Sequence, residues 1–415
     1  MRFCSTPVLR GILLSILGTP LLVVDGQETL TQLESRGMQL KAKGDASGAL
    51  AAWEKAARLN PKSARIEDEI GFLLSVLGRR EEAIQHFDRA VQLNPKLAVA
   101  HYHLGVAYWL QRDPANGIHQ LEIAVILEPD SFDYRFHLGH ALNATSSYGE
   151  ALPHLQKATA LAPQSSEAWN QLGIALQNTG DPRGGLDAYG RAVSLDASNL
   201  DARNNYGLTL VNMGRAEEGM IQFRRILEID PESSVARLNI GIAHLQRSEF
   251  NDAEAQLREA LRRDPNSSVA HYNLGLTLKL EDKLEKATAE LKRALELNPN
   301  LPEAHYTLGI IRWQSGDFEE AAQEMKAAIA ANPDYAEAYA MLGTALKQKG
   351  DLHGAVLALQ SAIRLDPGNP GPHNTLGQVL LQMGDTEGSR RAFAEGTSAI
   401  KKKNADLART LQKEQ

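Results

Sequence analysis

The amino-acid sequence predicts an all-α fold of the α-solenoid class, built from antiparallel helix pairs stacked one on the next. Three observations predict it. Prolines closing "LNP"-like triplets fall at Pro61, Pro95, Pro129, Pro163, Pro231, Pro265, Pro299, Pro333 and Pro367, each step being 34 residues or, where Ala197 fills the slot, twice that. A glycine follows each slot by ten residues, from Gly71 to Gly377, and Gly37 opens the column one step earlier, so eleven copies run without an insertion. Small residues such as Ala49, Ala83 and Gly117 stand twelve after these glycines, and bulky ones such as Trp53, Phe87 and Leu121 four later again. A fixed period of this length marks an architecture in which each unit covers its apolar side with the next.

The first 26 residues stand apart. Arg2 and Arg10 precede an apolar region, residues 11–24, which carries no charge. Those fourteen residues suit the apolar core of a signal peptide and fall short of the ~20 that a spanning helix needs. Residues 1–26 are expected to be a signal peptide cleaved before Gln27 or, uncleaved, a membrane tether. Either way the rest of the chain is expected outside the cytoplasm, periplasmic or secreted. Residues 27–403 are expected to form the eleven repeats, and 404–415 a polar C-terminal helix or tail that solvates the open end.

Within a copy the spacing is helical. Leu104, Ala107 and Tyr108 share one face of a first helix, and Ala83, Phe87 and Ala90 one face of a second. Breaks such as Gly180–Asp181 and Gly350–Asp351 separate the two, because glycine accepts the left-handed backbone that ends a helix and aspartate caps the next. At Asp113–Pro114 and Asp181–Pro182 the cap is followed by proline in the first turn, where its missing N–H is harmless. Proline in the closing slot disfavours helical geometry in the residue before it. Ile226 breaks the small-residue column of Ala56, Ala90 and Ala124, so the sixth copy is expected to pack differently.

This pattern resembles the tetratricopeptide repeat family. The 34-residue length, the Leu-Gly of the first helix, the alanine and large apolar residue of the second and the closing proline all match, and Trp169 in "AWNQLGIAL" fills the aromatic slot that opens the family motif. The resemblance spans about Leu30 to Lys403. It implies a right-handed superhelix whose concave face, made mainly by first helices, binds peptides or protein segments. The family's carboxylate clamp for chaperone tails needs lysines that the matching slots, Tyr102, Phe136, Asn170 and Asn204, do not supply.

Composition and motifs narrow the function. Lys+Arg total 44 against Asp+Glu 51, a net charge of −7, which gives no basic footprint for nucleic acid. Cys4 is the only cysteine, so neither a disulfide framework nor a cysteine-based zinc site is available. The sequence holds no G-x-S-x-G elbow, no phosphate-binding G-x-x-x-x-G-K-[ST] and no H-E-x-x-H. Acid pairs such as Glu81–Glu82 and Glu319–Glu320 sit early in second helices, where acids suit the helix dipole. No enzyme activity and no cofactor are expected. His103, His137 and His140 are close in the repeat but lack a carboxylate or cysteine at usual ligand spacing, and are expected to line a groove rather than hold a metal.

The expected partner is an unidentified protein or peptide segment, held by a non-enzymatic scaffold. The alternative is an accessory subunit of an envelope polysaccharide or pilus secretion machine. Two columns of first-helix residues carry the first expectation. One runs His103, His137, Gln171, Asn205, Asn239 and Asn273. The other, seven residues on, includes Asn178, Asn212 and Gln246. Seven residues are about two helical turns, so the columns share a face, and side-chain amides both donate and accept. Aromatic stripes run beside them: Tyr102 with Trp109, Tyr306 with Trp313, and Phe136 in the tyrosine column. The tryptophan slot holds Lys279 and Lys347 in other copies, so Trp109 and Trp313 are expected to face the groove. His101, His271 and His305 share a slot with Trp169, Arg203, Arg237 and Tyr339, so they are expected to serve packing rather than chemistry.

Overall fold

The structure, a computed structural model, describes residues 28–413; the expected leader lies outside the described residues. These form 22 helices and no strand, from α1 (Leu30–Ala42) to α22 (Thr386–Lys413). Odd-numbered helices are the first members of the pairs and even-numbered ones the second, one pair per 34-residue copy. None of the described helices is long and apolar enough to cross a membrane. The described residues divide into two compact units, one ending at Leu161 and the other beginning at Ala162. The first holds four pairs and the second, from α9 (Ser166–Asn178) onward, seven.

The two periodic columns explain how each pair closes. A methyl group added at Gly207, in α11 (Leu200–Asn212), would lie 2.6 Å from the ring of Phe223, in α12 (Ala216–Ile229). The same holds for Gly37 against Trp53, Gly139 against Leu155 and Gly343 against Leu359, at 2.5 to 2.6 Å. Each column glycine is the floor on which the bulky residue of its own second helix rests. Those bulky side chains are the core: Trp53, Phe223, Leu155 and Leu359 are fully buried. At one point the sixth pair approaches more closely than the third and fifth. A methyl at Gly219 would stand 2.7 Å from the Gly207 carbonyl oxygen, whereas the equivalent distances at Gly117 and Gly185 are 3.1 Å.

The break between paired helices is conformationally uniform and chemically mixed. Gly44, Gly78, Gly180, Gly214, Gly316, Gly350 and Gly384 all have φ between 77° and 90°, in the left-handed region. The other four copies place Arg112, Ser146, Ser248 and Asp282 there, with φ of 60° to 63°. A side chain in that region costs roughly 1–2 kcal/mol, partly offset because glycine loses more backbone entropy on folding. Replacing all four by glycine is therefore expected to raise the melting temperature, each contributing about 0.5 kcal/mol. A lower melting temperature in calorimetry would show that these side chains make compensating contacts.

Caps fall where the sequence puts them. Asp113 accepts from Asn116 N at 3.2 Å, Asp181 from Gly184 N at 2.8 Å and Asp351 from Gly354 N at 2.9 Å. At Ala197 the second helix still ends, at Leu195, because Asp196 accepts from Ser198 N at 2.8 Å and Asn199 caps the next helix. No break marks residue 404: α22 runs 28 residues without interruption, where the other second helices have 14. Its closing slot holds Lys401 rather than proline, so the stop that proline sets in other copies is missing there.

Candidate functional site

Three fixed offsets tie the first helices to their surroundings, and they decide what each candidate residue can do. The first is the histidine slot. His305 Nε2 donates to the Pro299 carbonyl, six residues back, at 3.1 Å, and its Nδ1 lies 2.7 Å from Glu324 Oε2, nineteen residues on. His271 repeats this with Pro265 and Glu290, and His101 with Pro95 and Gln120. Other donors substitute freely. Trp169 Nε1 reaches Pro163 O at 3.0 Å, and Arg203 reaches Ala197 O at 2.8 Å and Gln222 at 3.1 Å. In these copies the slot uses a side-chain N–H long enough to satisfy the carbonyl at the closing turn, and histidine is one of several residues that supply it.

At His305 both ring nitrogens face acceptors, so the imidazolium fits best. The Glu324 hydrogen bond raises the pKa above the ordinary 6.5, against burial, which lowers it; the Pro299 carbonyl adds to the rise. A raised folded-state pKa means stability that is complete below the unfolded pKa and lost as pH rises through the folded one. The melting temperature is therefore expected to fall between about pH 6.5 and pH 9 by more in the wild type than in His305→Trp, which takes the side chain used at Trp169. Equal slopes for the two proteins would remove His305 as the titrating group.

The second offset is 35 residues and joins one first helix to the next. His103 Nδ1 donates to Asp68 Oδ1 at 2.8 Å, Asn205 Nδ2 to Asn170 Oδ1 at 3.0 Å and Asn239 Nδ2 to Asn204 Oδ1 at 2.7 Å. Tyr102 and His137 stand 3.4 Å apart in the same register, although the His137 Nδ1 also lies 2.8 Å from the Asp133 carbonyl. This corrects the expected ladder. Its first column is turned toward the preceding helix and is largely consumed in holding neighbours together. Asn239 and Asn273 are buried, and Asn273 bonds the Val269 carbonyl of its own helix at 2.8 Å. Gln171 and Asn205 are half-buried. The reason is rotational: residues two turns apart lie on one side, but the neighbouring helix covers only the nearer turn. The second column stays open, with Asn178, Asn212 and Gln246 exposed; Asn178 bonds the Ile174 carbonyl at 2.8 Å.

The third offset is 31 residues, two turns further along. Lys41 Nζ lies 3.9 Å from the centre of the Phe72 ring, Trp109 meets His140 edge-on at 6.3 Å, and Lys347 reaches Gln378 at 2.5 Å. This slot takes lysine or tryptophan because it lies at the margin between two first helices. Trp109 and Trp313 are accordingly half-buried. Trp313 packs against Phe318 at 6.4 Å, and its indole N–H is inaccessible and unpartnered.

In the first unit these registers gather one aromatic cluster. Tyr102 lies 4.9 Å from the Tyr134 ring and 5.3 Å from His137; Phe136 stacks on Phe132 at 5.6 Å and is buried. Burial, with Asp133 adding to it, pushes the Tyr102 hydroxyl up to about 12. In the second unit Tyr306 packs beside Tyr335 at 5.1 Å. Asp68, Tyr134 and Tyr335 were not singled out in the sequence. Asp68 and Tyr335 could be found only by the 35-residue register and by noticing a tyrosine in a capping slot otherwise held by residues such as Ser233 and Ser267.

His103, His137 and His140 do not form a three-ligand group. The one such group among the described residues is His244, Glu249 and Asp252, with ligand atoms within 4.8 Å. There His244 Nδ1 already holds Glu249 at 2.7 Å, and the Arg247 guanidinium supplies a cation at 2.7 Å.

Family models described as tetratricopeptide repeat match residues 111–166, 170–234, 306–370 and 346–413, and one described as TPR repeat matches 76–111 and 280–316. No curated protein matches. Among solved structures, the chain is similar to yeast Tom70 at 16% identity, over 92% of this chain and 96% of that one, with a TM-score of 0.49. It is similar to human IFIT1, solved as a dimer with m7Gppp-AAAA, at 14% identity over 91% of each chain, with a TM-score of 0.48. YrrB, described as a TPR protein with an unusual peptide-binding site, is 26% identical over 45% of this chain and 95% of that one, with a TM-score of 0.42. The helix pairs, their unbroken period and the family matches lead to one conclusion: this chain belongs to the tetratricopeptide repeat family.

Proposed function

We propose that the chain is a protein-interaction scaffold that binds an extended segment of a partner protein along the exposed edge of its first helices. One observation carries this reading. On α3 (Ala64–Val76) and α5 (Ala98–Leu110), Val76 and Leu110 occupy the same slot of consecutive copies and stand 60% and 56% exposed. Half-buried Trp109 adjoins Leu110, Tyr102 lies two turns earlier on α5, and His137 lies on α7 (Phe132–Ala144). Apolar side chains that packing leaves in water are a recurrent mark of interfaces, and aromatic residues dominate their binding energy. In the second unit the same slot carries exposed amides at Asn178, Asn212 and Gln246. Amides there suit hydrogen bonding to a main chain, with little regard to its sequence.

The test is a partner recovered by proximity crosslinking, its binding then measured by calorimetry against three proteins. Leu110→Asp should weaken it at least about tenfold, because the side chain is exposed and its loss costs the fold little. Trp109→Ala should weaken it about tenfold to a hundredfold, with some loss of stability because the indole also braces His140. Wild-type affinity in both variants removes this face as the binding surface.

A further inference from the structure

We propose that the cleft between α17 (Pro302–Gln314), α19 (Ala336–Lys349) and α21 (Pro370–Gln382) receives a lysine or arginine side chain from a basic partner segment. This rests on the scaffold reading and adds the chemistry of the partner. The cleft encloses about 240 Å³, with Tyr306, Met341 and Pro372 among its lining and Glu337 at its edge. That is below the roughly 300 Å³ at which small-molecule sites begin. It is room for one long side chain rather than for a cofactor.

Tyr306, in the lining, and Tyr335, packed against it outside the lining, favour a cation. The Tyr306 and Tyr335 rings lie 5.1 Å apart, tilted at 40°, and both are half-buried. An ammonium or guanidinium within about 6 Å of such a face is attracted by the ring quadrupole. A neutral apolar side chain would be served by the ring faces alone, so the carboxylates decide. Glu303 and Glu337 stand in the first turns of α17 and α19, both exposed, and neither makes an ion pair among the described residues. Neighbouring acids are engaged: Glu320 binds Arg312 at 2.9 Å, Glu324 binds His305 at 2.7 Å, and Glu319 binds Lys349. The tyrosines feel the two free carboxylates. Burial first, then Tyr306, Tyr272, Glu303 and Glu337, hold the Tyr335 hydroxyl well above its ordinary range.

A first-turn acid by itself only complements the helix dipole. Here Glu337 lines a cleft of side-chain size together with Tyr306 of the aromatic pair, and that combination points to a cationic guest. The aliphatic stem of lysine or arginine would lie along Met341 and Pro372 while the charged head reaches Glu337.

The experiment uses the full chain and short fluorescein-labelled peptides in which alanine alternates with lysine, with glutamate or with serine. Anisotropy should show the lysine peptide binding at least about tenfold more tightly than the other two, with affinity falling as salt rises. Glu303→Gln/Glu337→Gln should weaken it about fivefold or more. Tyr306→Leu, which changes no charge, should weaken it similarly. Glu228→Gln/Glu232→Gln removes the same charge at the end of α12 and should leave the affinity unchanged. Equal binding of all three peptides, no binding of the lysine peptide, or equal loss in the control variant overturns the inference. If all three peptides bind equally and Tyr306→Leu still weakens them, the face binds segments without selecting charge, and only the cationic inference falls. The scaffold reading is judged separately, by Trp109 and Leu110 in the first unit.

Discussion

Gly207→Ala is expected to destabilise the second unit by about 2 kcal/mol, the middle of the range for overpacking a filled core. In an exposed helix the same change stabilises by roughly 0.5–1 kcal/mol, because alanine loses less backbone entropy. The sign reverses here for a steric reason. The new methyl would sit 2.6 Å from a ring carbon of Phe223, and Phe223 is fully buried with no free direction to turn. The helices must part or the ring must leave its rotamer. Gly190→Ala is the matched control. A methyl there would meet only the Tyr206 ring, at 3.6 Å, an ordinary contact. That variant should gain up to about 1 kcal/mol. Urea titrations of the two variants and the wild type, with hydrogen exchange to localise the loss, give the comparison; repeat arrays need the local probe because their unfolding is not one step. A Gly207→Ala protein as stable as wild type would show that the pair has slack to separate.

The second large effect lies at Glu67 and His86, where the histidine slot is reversed. In other copies a donor in that slot meets an acceptor nineteen residues on, as His271 meets Glu290. In the second copy the acid stands first. Glu67 has a side chain only 4% exposed, and its carboxylate is held by His86 Nδ1 at 2.7 Å and Arg89 Nε at 3.3 Å. His86→Ala strands most of that buried carboxylate and is expected to cost about 2 kcal/mol, since an unpaired buried group forfeits its solvation. Glu67→His alone should also destabilise, because it sets two imidazoles together. The double change Glu67→His/His86→Glu restores the order found at His271 and His305, and the introduced imidazole gains the Pro61 carbonyl as a second acceptor. It should recover at least about half of the summed loss, a coupling that thermal or urea denaturation of the four proteins measures directly. Strict additivity of the two single losses would show that the pair does not act as a unit.

Much of the fold was legible before any coordinates. The closing prolines, the capping aspartates and the glycines at breaks such as Gly180 and Gly350 mark helix ends by local rules, and the observed helices obey them. The small and bulky columns follow from sequence, whereas the packing of the column glycines under Trp53, Phe87 or Phe223, sixteen residues on, came with the structure. The candidate site was legible only in part. The columns through His103 and Asn178 were identified, but not that the first would be spent on neighbouring helices while the second stayed open. Trp109 stands out by the lysines in its slot, but that the indole would meet His140 was not legible there.

The division has a physical cause. Sequence by itself determined the number of helices, their ends and their pairing, since an unbroken 34-residue period repeats the same local geometry in every copy. Only the tertiary structure decided the offsets of 19, 31 and 35 residues, which depend on how far each helix is rotated about its axis when it docks. Those rotations choose which side chain of a polar face meets a partner and which meets water. The period is a property of the chain alone; exposure is a property of the neighbour.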